Sequence, residues 1–189
     1  MKTSILIVGV GGQGTLLASR ILGKYAFLKG LDVKLSEVHG MSQRGGSVVT
    51  HVKMADKVNS PIVAMGDADI ILSFEKLEAA RYLNFLKKGG IIVTNTQEIL
   101  PMPVITGAKE YPADCLEKIK NAGIAVAEKD ALALAEKAGS PKAVNVVMLG
   151  ALTKYLGLDK DVMLEALKTT VPAKFLDMNL KAFELGYAD

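Results

Sequence analysis

The chain has 189 residues, half of them apolar and 23% charged, with 23 basic against 20 acidic side chains and a formal charge of +3. That length suits one domain, residues 1–189, around a single sizeable core. A charge this mild leaves no electrostatic footprint for nucleic acid or an anionic membrane.

The elements follow in chain order. "TSILIV" at residues 3–8 is short, apolar and β-rich, a buried strand. Beyond a run of glycines, Leu16, Leu17, Ala18, Ile21, Leu22, Tyr25 and Ala26 recur at helical spacing, and Gly30 closes that helix. "DVKLSEV" alternates as a second strand, and "SVVTHVKM" as a third with no helix between them. "KVNSPIV" reads as a turn with a short edge segment, because Pro61 lacks a ladder donor. "DIILSF" is a buried strand, "EKLEAARYLNFLKK" an amphipathic helix ended by Gly89 and Gly90, and "IIVTN" another strand.

In the second half "PMPVITGAKEYP" is irregular, "ADCLEKIKNAG" a short helix and "IAVAE" a strand. Asp130 caps "ALALAEKAG". Ser140 followed by Pro141 opens the long apolar helix "KAVNVVMLGALTKYLG". Asp159 caps one more helix, and another follows Pro172. Alternating strands and helices predict an α/β fold, a three-layer α/β/α sandwich on a Rossmann-like, mostly parallel sheet. The direct step from strand to strand near residue 42 adds antiparallel pairing, hence a mixed sheet. Helix "NVVMLGALTKYLG" is apolar on more than one side, which predicts a face that a partner buries.

No apolar run approaches the roughly 18 residues of a membrane span. The apolar start breaks at once into glycines, unlike a signal peptide, so a cytoplasmic location is expected. Tryptophan is absent and aromatics are 5%, against a base-stacking platform. Cys115 is the single cysteine. The chain therefore has no internal disulfide and no all-cysteine zinc or iron–sulfur site, and any metal centre for electron transfer sits on another chain.

Two stretches carry chemistry. "GVGGQG", residues 9–14, fits G-x-G-x-x-G between a strand and a helix. Gly11 and Gly12 let the backbone approach a ligand, and the helix N-terminus turns free N–H groups toward an anion. The alternative is a tight, closely packed turn. A dinucleotide site also wants an acid ending the second strand, and Glu37 stands in the right window, but the helix due after that strand is missing. The second stretch is "EVHGMSQRGGSVVTHV", residues 37–52. Arg44, before Gly45 and Gly46, suits bidentate phosphate recognition, and Gln43 adds an amide. Both stretches lie at the carboxyl ends of strands and are expected to face one site.

His51 reads as packed or paired within a strand, and His39 could titrate near neutral pH. A metal held by Glu37, His39 and His51 has no supporting motif. Cys115 reads as a small semi-buried hydrophobe. Asn145, in the second turn of the most apolar helix, bonds a loop carbonyl or reaches a ligand held by the Gly-rich turn.

"GVGGQGTLLASRIL", "SEVHGMSQRGGSVVTHV", "SPIVAMGDADIILSFEKLEAAR" and "NVVMLGAL" resemble, in that order, the gamma-type domain of 2-oxoacid:ferredoxin oxidoreductases. The "EVHGMSQRGG" form resembles the indolepyruvate branch of that family, with the gamma subunits of the pyruvate and 2-oxoglutarate branches as the alternative. The resemblance implies a non-cluster subunit in an enzyme of anaerobic amino-acid catabolism. That enzyme oxidatively decarboxylates an aryl-2-oxoacid with coenzyme A (CoA) and passes electrons to ferredoxin. Thiamine diphosphate and [4Fe-4S] clusters would reside on a large alpha subunit. Gly11, Gly12, Gln13 and Gly14 would contact CoA, Gln43 and Arg44 would hold a phosphate, and Asn145 would be a further contact. No catalytic acid or base is implied, because thiamine carries the chemistry. Two other readings stay open: a stand-alone NAD(P)-binding protein and a scaffolding subunit.

Overall fold

The structure, a computed structural model, describes residues 2–37 and 45–188. The described strands form one mixed six-stranded sheet in the order β2-β3-β1-β4-β5-β6. They are β1 Thr3–Val10, β2 Asp32–Glu37, β3 Ser47–Ala55, β4 Ala68–Ser73, β5 Leu86–Asn95 and β6 Ala125–Lys129. β1, β4, β5 and β6 run parallel, while β3 is antiparallel to both β1 and β2.

β1 is buried along its whole length. Its alternate side chains serve two cores: Ile5 and Ile7 face one, Leu6 and Val8 the other. Helices α1 (Thr15–Leu28), α5 (Ala131–Ala138), α6 (Val144–Tyr155), α7 (Lys160–Thr170) and α8 (Leu176–Ala188) cover the first face. The short α2 (Lys76–Arg81) and α4 (Cys115–Asn121) cover the second. The result is the expected three-layer α/β/α arrangement. The expected caps are present: Asp130 accepts from the Ala133 N–H at 3.0 Å, and Asp159 from Val162 at 3.2 Å.

Four expectations need correction. The helix drawn from Glu75 to Lys88 stops at Arg81, and a 3₁₀ turn at Leu83–Phe85 leads straight into β5. Pairing of Leu86 with Ala68 overrides helical propensity there, and residues 87–90 form a bulge before Ile91 pairs with Ile70. "KVNSPIV" forms no edge strand, and the sheet edges are β2 and β6. "PMPVITGAKEYP" contains one helical turn, α3 (Met102–Ile105).

Finally, α6 needs no partner protein to account for its apolar faces. It is buried from Val144 to Thr153, with side chains in the first core beside those of β5 and α8. Gly150 and Gly186 let the α6 and α8 backbones touch. A Cβ at Gly186 would stand 1.9 Å from the Val147 carbonyl oxygen, and one at Gly150 2.2 Å from that of Phe183.

Candidate functional site

β2 runs in the same direction as β1, two positions away. The end of β2, the end of β1 and the start of β3 therefore share one edge, where the loops after β4, β5 and β6 also emerge. Gln43 and Arg44 lie outside the described residues, as does His39. The flank of their loop is fixed: Gly11 N–H donates to the Gly46 carbonyl at 2.8 Å, and Gly45 N–H donates to the Gly11 carbonyl at 3.2 Å. The Gly-rich turn and the base of the Arg44 loop are thus in contact, as the sequence leads one to expect.

Each glycine of the turn has a separate reason. Gly12 sits at φ +103°, a region that L side chains rarely adopt. A Cβ at Gly9 would meet the Gln13 side-chain oxygen at 2.8 Å, and one at Gly14 the Asn145 side-chain nitrogen at 2.6 Å. Gln13 can therefore fold back, and Asn145 can press against the turn.

Those two amides brace the turn. Gln13 Oε1 accepts from the Val10 N–H at 2.7 Å. Its Nε2 donates to the Phe74 carbonyl at 2.9 Å and to Gln97 Oε1 at 3.2 Å. Both amide hydrogens are engaged, and the backbone N–H donates to the Val10 carbonyl at 3.2 Å, so Gln13 braces the turn and offers no open donor. Asn145 stands near the start of α6, and its Nδ2 donates to the Gly14 carbonyl at 3.3 Å. Asn95, fully buried, extends the network: Nδ2 donates to the Phe74 carbonyl and Oδ1 accepts from Ala131 at the head of α5. The loops after β1, β4, β5 and β6 are tied together beneath the turn.

What the turn leaves open is a row of donors. Among the described residues, the N–H groups of Gly12, Gly14, Thr15 and Leu16 find no acceptor, and no side chain caps α1. Those of Gly14, Thr15 and Leu16 are orphan donors of a 14-residue helix at its partially positive end, and Gly12 adds one from the turn before it. They border a cleft of about 250 Å³ walled by Gly11, Gly12, Gly14, Thr15, Leu16, Val48 and Thr50. Thr15 and Thr50 are buried to 7% and 2% exposure and have no hydrogen-bond partner among the described residues. By strand alternation Thr50 shares the face of Val52, which packs in the core beneath α1. Open amides and two threonines, with no carboxylate in the walls among the described residues, make a site that accepts an anion.

The sequence-based reading names the glycines of this cleft but not Thr15 or Thr50. The signal for Thr50 is its place in β3, two residues from Val48 on one face of the strand.

His51 and Cys115 separate from the site, while Glu37 flanks it: Glu37 pairs with Thr50 across β2 and β3, so both side chains stand on the α1 face of the sheet. Ser19 Oγ donates to Glu37 at 2.5 Å, which gives this carboxylate a place beside α1. Because β3 lies between β1 and β2, Glu37 is about two strand spacings, roughly 10 Å, from β1. A ribose acid of the dinucleotide fold ends the strand beside β1, so the NAD(P) reading fails on topology. His51 pairs with Ser36, so Glu37 and His51 point to opposite faces of the sheet and cannot share a metal. His51 Nδ1 accepts from the Val63 N–H at 3.2 Å, and the ring packs edge-on against Phe85. Burial, and then nearby Lys53, push its pKa below 6.5. Cys115 is buried at the start of α4, and burial pushes its thiol up. Both residues are structural, as expected.

Comparisons with known proteins agree with this fold. A family profile described as "Pyruvate ferredoxin/flavodoxin oxidoreductase" matches residues 4–188. The "Indolepyruvate oxidoreductase subunit IorB" of Pyrococcus horikoshii is 46% identical, over 97% of this chain and 93% of that protein. A keto/oxoacid ferredoxin oxidoreductase gamma subunit from Geobacter sulfurreducens PCA has the same fold. Its TM-score is 0.73 at 24% identity, over 98% of this chain and 96% of that one. A 2-oxoglutarate:ferredoxin oxidoreductase from Magnetococcus marinus, solved with 2-oxoglutarate, CoA and succinyl-CoA bound, contains the fold within a longer chain. There the TM-score is 0.75 at 20% identity, over 99% of this chain and 30% of that one.

Proposed function

The chain belongs to the pyruvate ferredoxin/flavodoxin oxidoreductase family as a small subunit of a 2-oxoacid:ferredoxin oxidoreductase, and we propose that it serves the indolepyruvate branch in the cytoplasm, holding CoA against a larger partner. The observation that carries the CoA assignment is the set of open N–H groups of Gly12, Gly14, Thr15 and Leu16 at a cleft also walled by Thr50. Phosphate oxygens are the ligand such donors favour. The CoA named in the Magnetococcus marinus complex is consistent with it, and the P. horikoshii relative supports the indolepyruvate assignment.

In this reading the residues divide the work. The N–H groups of Gly12, Gly14, Thr15 and Leu16 receive a phosphate, and Gly11, tied to the Gly46 carbonyl, lets the chain pass close to it. Gln13 and Asn145 hold that backbone in place from below. Gln43 and Arg44, in the segment before Gly45, would hold a phosphate group. Thiamine diphosphate and [4Fe-4S] clusters on the large alpha subunit supply the decarboxylation and the electron path to ferredoxin. The single buried cysteine of this chain fits that division, because a cluster needs several thiolates.

The test is the enzyme assembled with its large subunit, reducing a low-potential acceptor dye. Indolepyruvate, pyruvate and 2-oxoglutarate are compared at saturating CoA, and indolepyruvate should give the largest kcat/KM. Arg44→Ala should raise the KM for CoA by about one to two decades, the value of a charge-assisted contact. The KM for the 2-oxoacid should not move. An Arg44→Ala enzyme with unchanged CoA dependence and impaired assembly makes the loop an interface element and overturns the CoA assignment. Preference for pyruvate or 2-oxoglutarate overturns the branch.

A further inference from the structure

A second cleft, of about 480 Å³, lies across the Gly-rich turn from the first. Gly12 and Gly14 border both. Its other walls are Gln13, Gln97, Leu132, Pro141, Lys142 and Val144. The first cleft is smaller than the roughly 300–1,000 Å³ of ordinary small-molecule sites, so a nucleotide-sized ligand seated on the turn extends past it.

Among the described residues, the walls of the second cleft carry one formal charge, and it is positive. Lys142 is exposed, and among the described residues it has no ion-pair partner. The other named cations near this edge are committed: Lys76 to Glu98 at 2.6 Å and Arg81 to Glu78 at 3.0 Å. The local fold sets Lys142 in place. The Ser140 hydroxyl accepts from the Lys142 N–H at 3.2 Å, and Pro141 starts the 3₁₀ turn that feeds α6. α6 in turn carries Asn145 against Gly14. Lys142 and the turn therefore hang on one short, braced segment.

We infer that Lys142 is a second anion contact for the ligand of the Gly-rich turn, binding another phosphate of a CoA molecule that straddles Gly12–Gly14. The inference rests on the proposed CoA assignment and adds the residue and the side of the turn on which the rest of the ligand lies. CoA carries a diphosphate and a 3′-phosphate, so one group sits over the α1 N-terminus while another reaches Lys142. An unpaired lysine has no ion pair to break before it binds.

The test uses the assembled enzyme and CoA titrations. Lys142→Ala should raise the KM for CoA about fivefold to thirtyfold, as expected for one charged hydrogen bond at an exposed position. The KM for the 2-oxoacid and the melting temperature should stay at wild-type values. Lys142→Arg should restore most of the loss, and 0.5 M salt should shrink the gap between wild type and Lys142→Ala. Lys137→Ala removes an equal charge from exposed α5 outside either cleft and should change nothing. With 3′-dephospho-CoA as co-substrate, a vanished Lys142 effect assigns the 3′-phosphate, and a retained one assigns the diphosphate. If Lys142→Ala leaves the CoA dependence unchanged while Arg44→Ala weakens it, this inference is wrong and the CoA assignment stands. If neither variant moves it, the assignment itself has failed. Equal effects of Lys142→Ala and Lys137→Ala would reduce the result to general electrostatics and overturn the inference.

Discussion

Replacing Gln13 by Ala separates bracing from ligand contact. The side chain holds the Val10 N–H at 2.7 Å and the Phe74 carbonyl at 2.9 Å, and it meets Gln97 at 3.2 Å. Phe74 keeps a second donor in Asn95 at 3.2 Å, so the Val10 N–H is the group left unsatisfied. Two good hydrogen bonds at about 0.5–1.5 kcal/mol each put the loss at roughly 1–3 kcal/mol. At about 2–4 °C per kcal/mol for a chain of this size, the melting temperature should fall by about 2–12 °C. CoA affinity should fall only as far as the turn loosens. The assay is thermal unfolding beside the KM for CoA in the assembled enzyme. Gln13→Glu is the sharper variant: it keeps the acceptor for Val10 but turns a carboxylate toward two oxygens, so it should unfold lower than Gln13→Ala. If Gln13→Ala melts like wild type yet loses CoA affinity by a hundredfold, the side chain touches the ligand and the bracing account is wrong.

Other outcomes follow from packing and burial. Gly186→Ala places a Cβ 1.9 Å from the Val147 carbonyl oxygen, against backbone that cannot yield. It should cost at least about 2 kcal/mol in urea unfolding, in the range of overpacked cores. Gly12→Ala meets no atom within 4 Å, so its cost should be only the strain of φ +103°, roughly 1–3 kcal/mol. A ranking with Gly12→Ala clearly the worse would contradict the close α6–α8 contact. His51 makes stability depend on pH: its folded pKa lies below 6.5, so its contribution is full above about pH 6.5 and is lost as pH falls through the lowered value. Unfolding midpoints between pH 7.5 and 5 should drop less in His51→Asn than in wild type. Identical slopes would remove His51 as the cause.

The layered sheet was legible because strands such as β1, β4 and β6 end at a glycine or a helix cap that acts locally: Gly11 after β1, Glu75 after β4 and Asp130 after β6. The mixed pairing followed from the short distance between Glu37 and Ser47, which no crossover helix can span. The misread elements are those decided by distant contacts. Lys87 and Lys88 suit a helix, and only pairing with β4 draws them into β5. The apolar faces of α6 looked like an interface because nothing local shows that Gly186, 36 residues beyond Gly150, comes to lie against it. At the site, glycine spacing revealed the turn. The bracing by Gln13 was hidden, because its partners Phe74 and Gln97 are remote in sequence, whereas a bond from Asn145 to a loop carbonyl is one of two readings the sequence allows, and the structure assigns it to Gly14. Lys142 passed as part of a helix start because its cleft is assembled from four segments far apart in the chain.

Amide hydrogen exchange on the assembled enzyme, with and without CoA, tests the central claim most directly. The open N–H groups of Gly12, Gly14, Thr15 and Leu16 have no partner among the described residues and should exchange quickly without ligand. If they receive a CoA phosphate, a peptide spanning residues 11–16 should become strongly protected at saturating CoA, while one from the opposite edge of the sheet around residues 57–60 should not change. Protection by CoA confined to the large subunit, with residues 11–16 exchanging at the same rate throughout, would contradict the account.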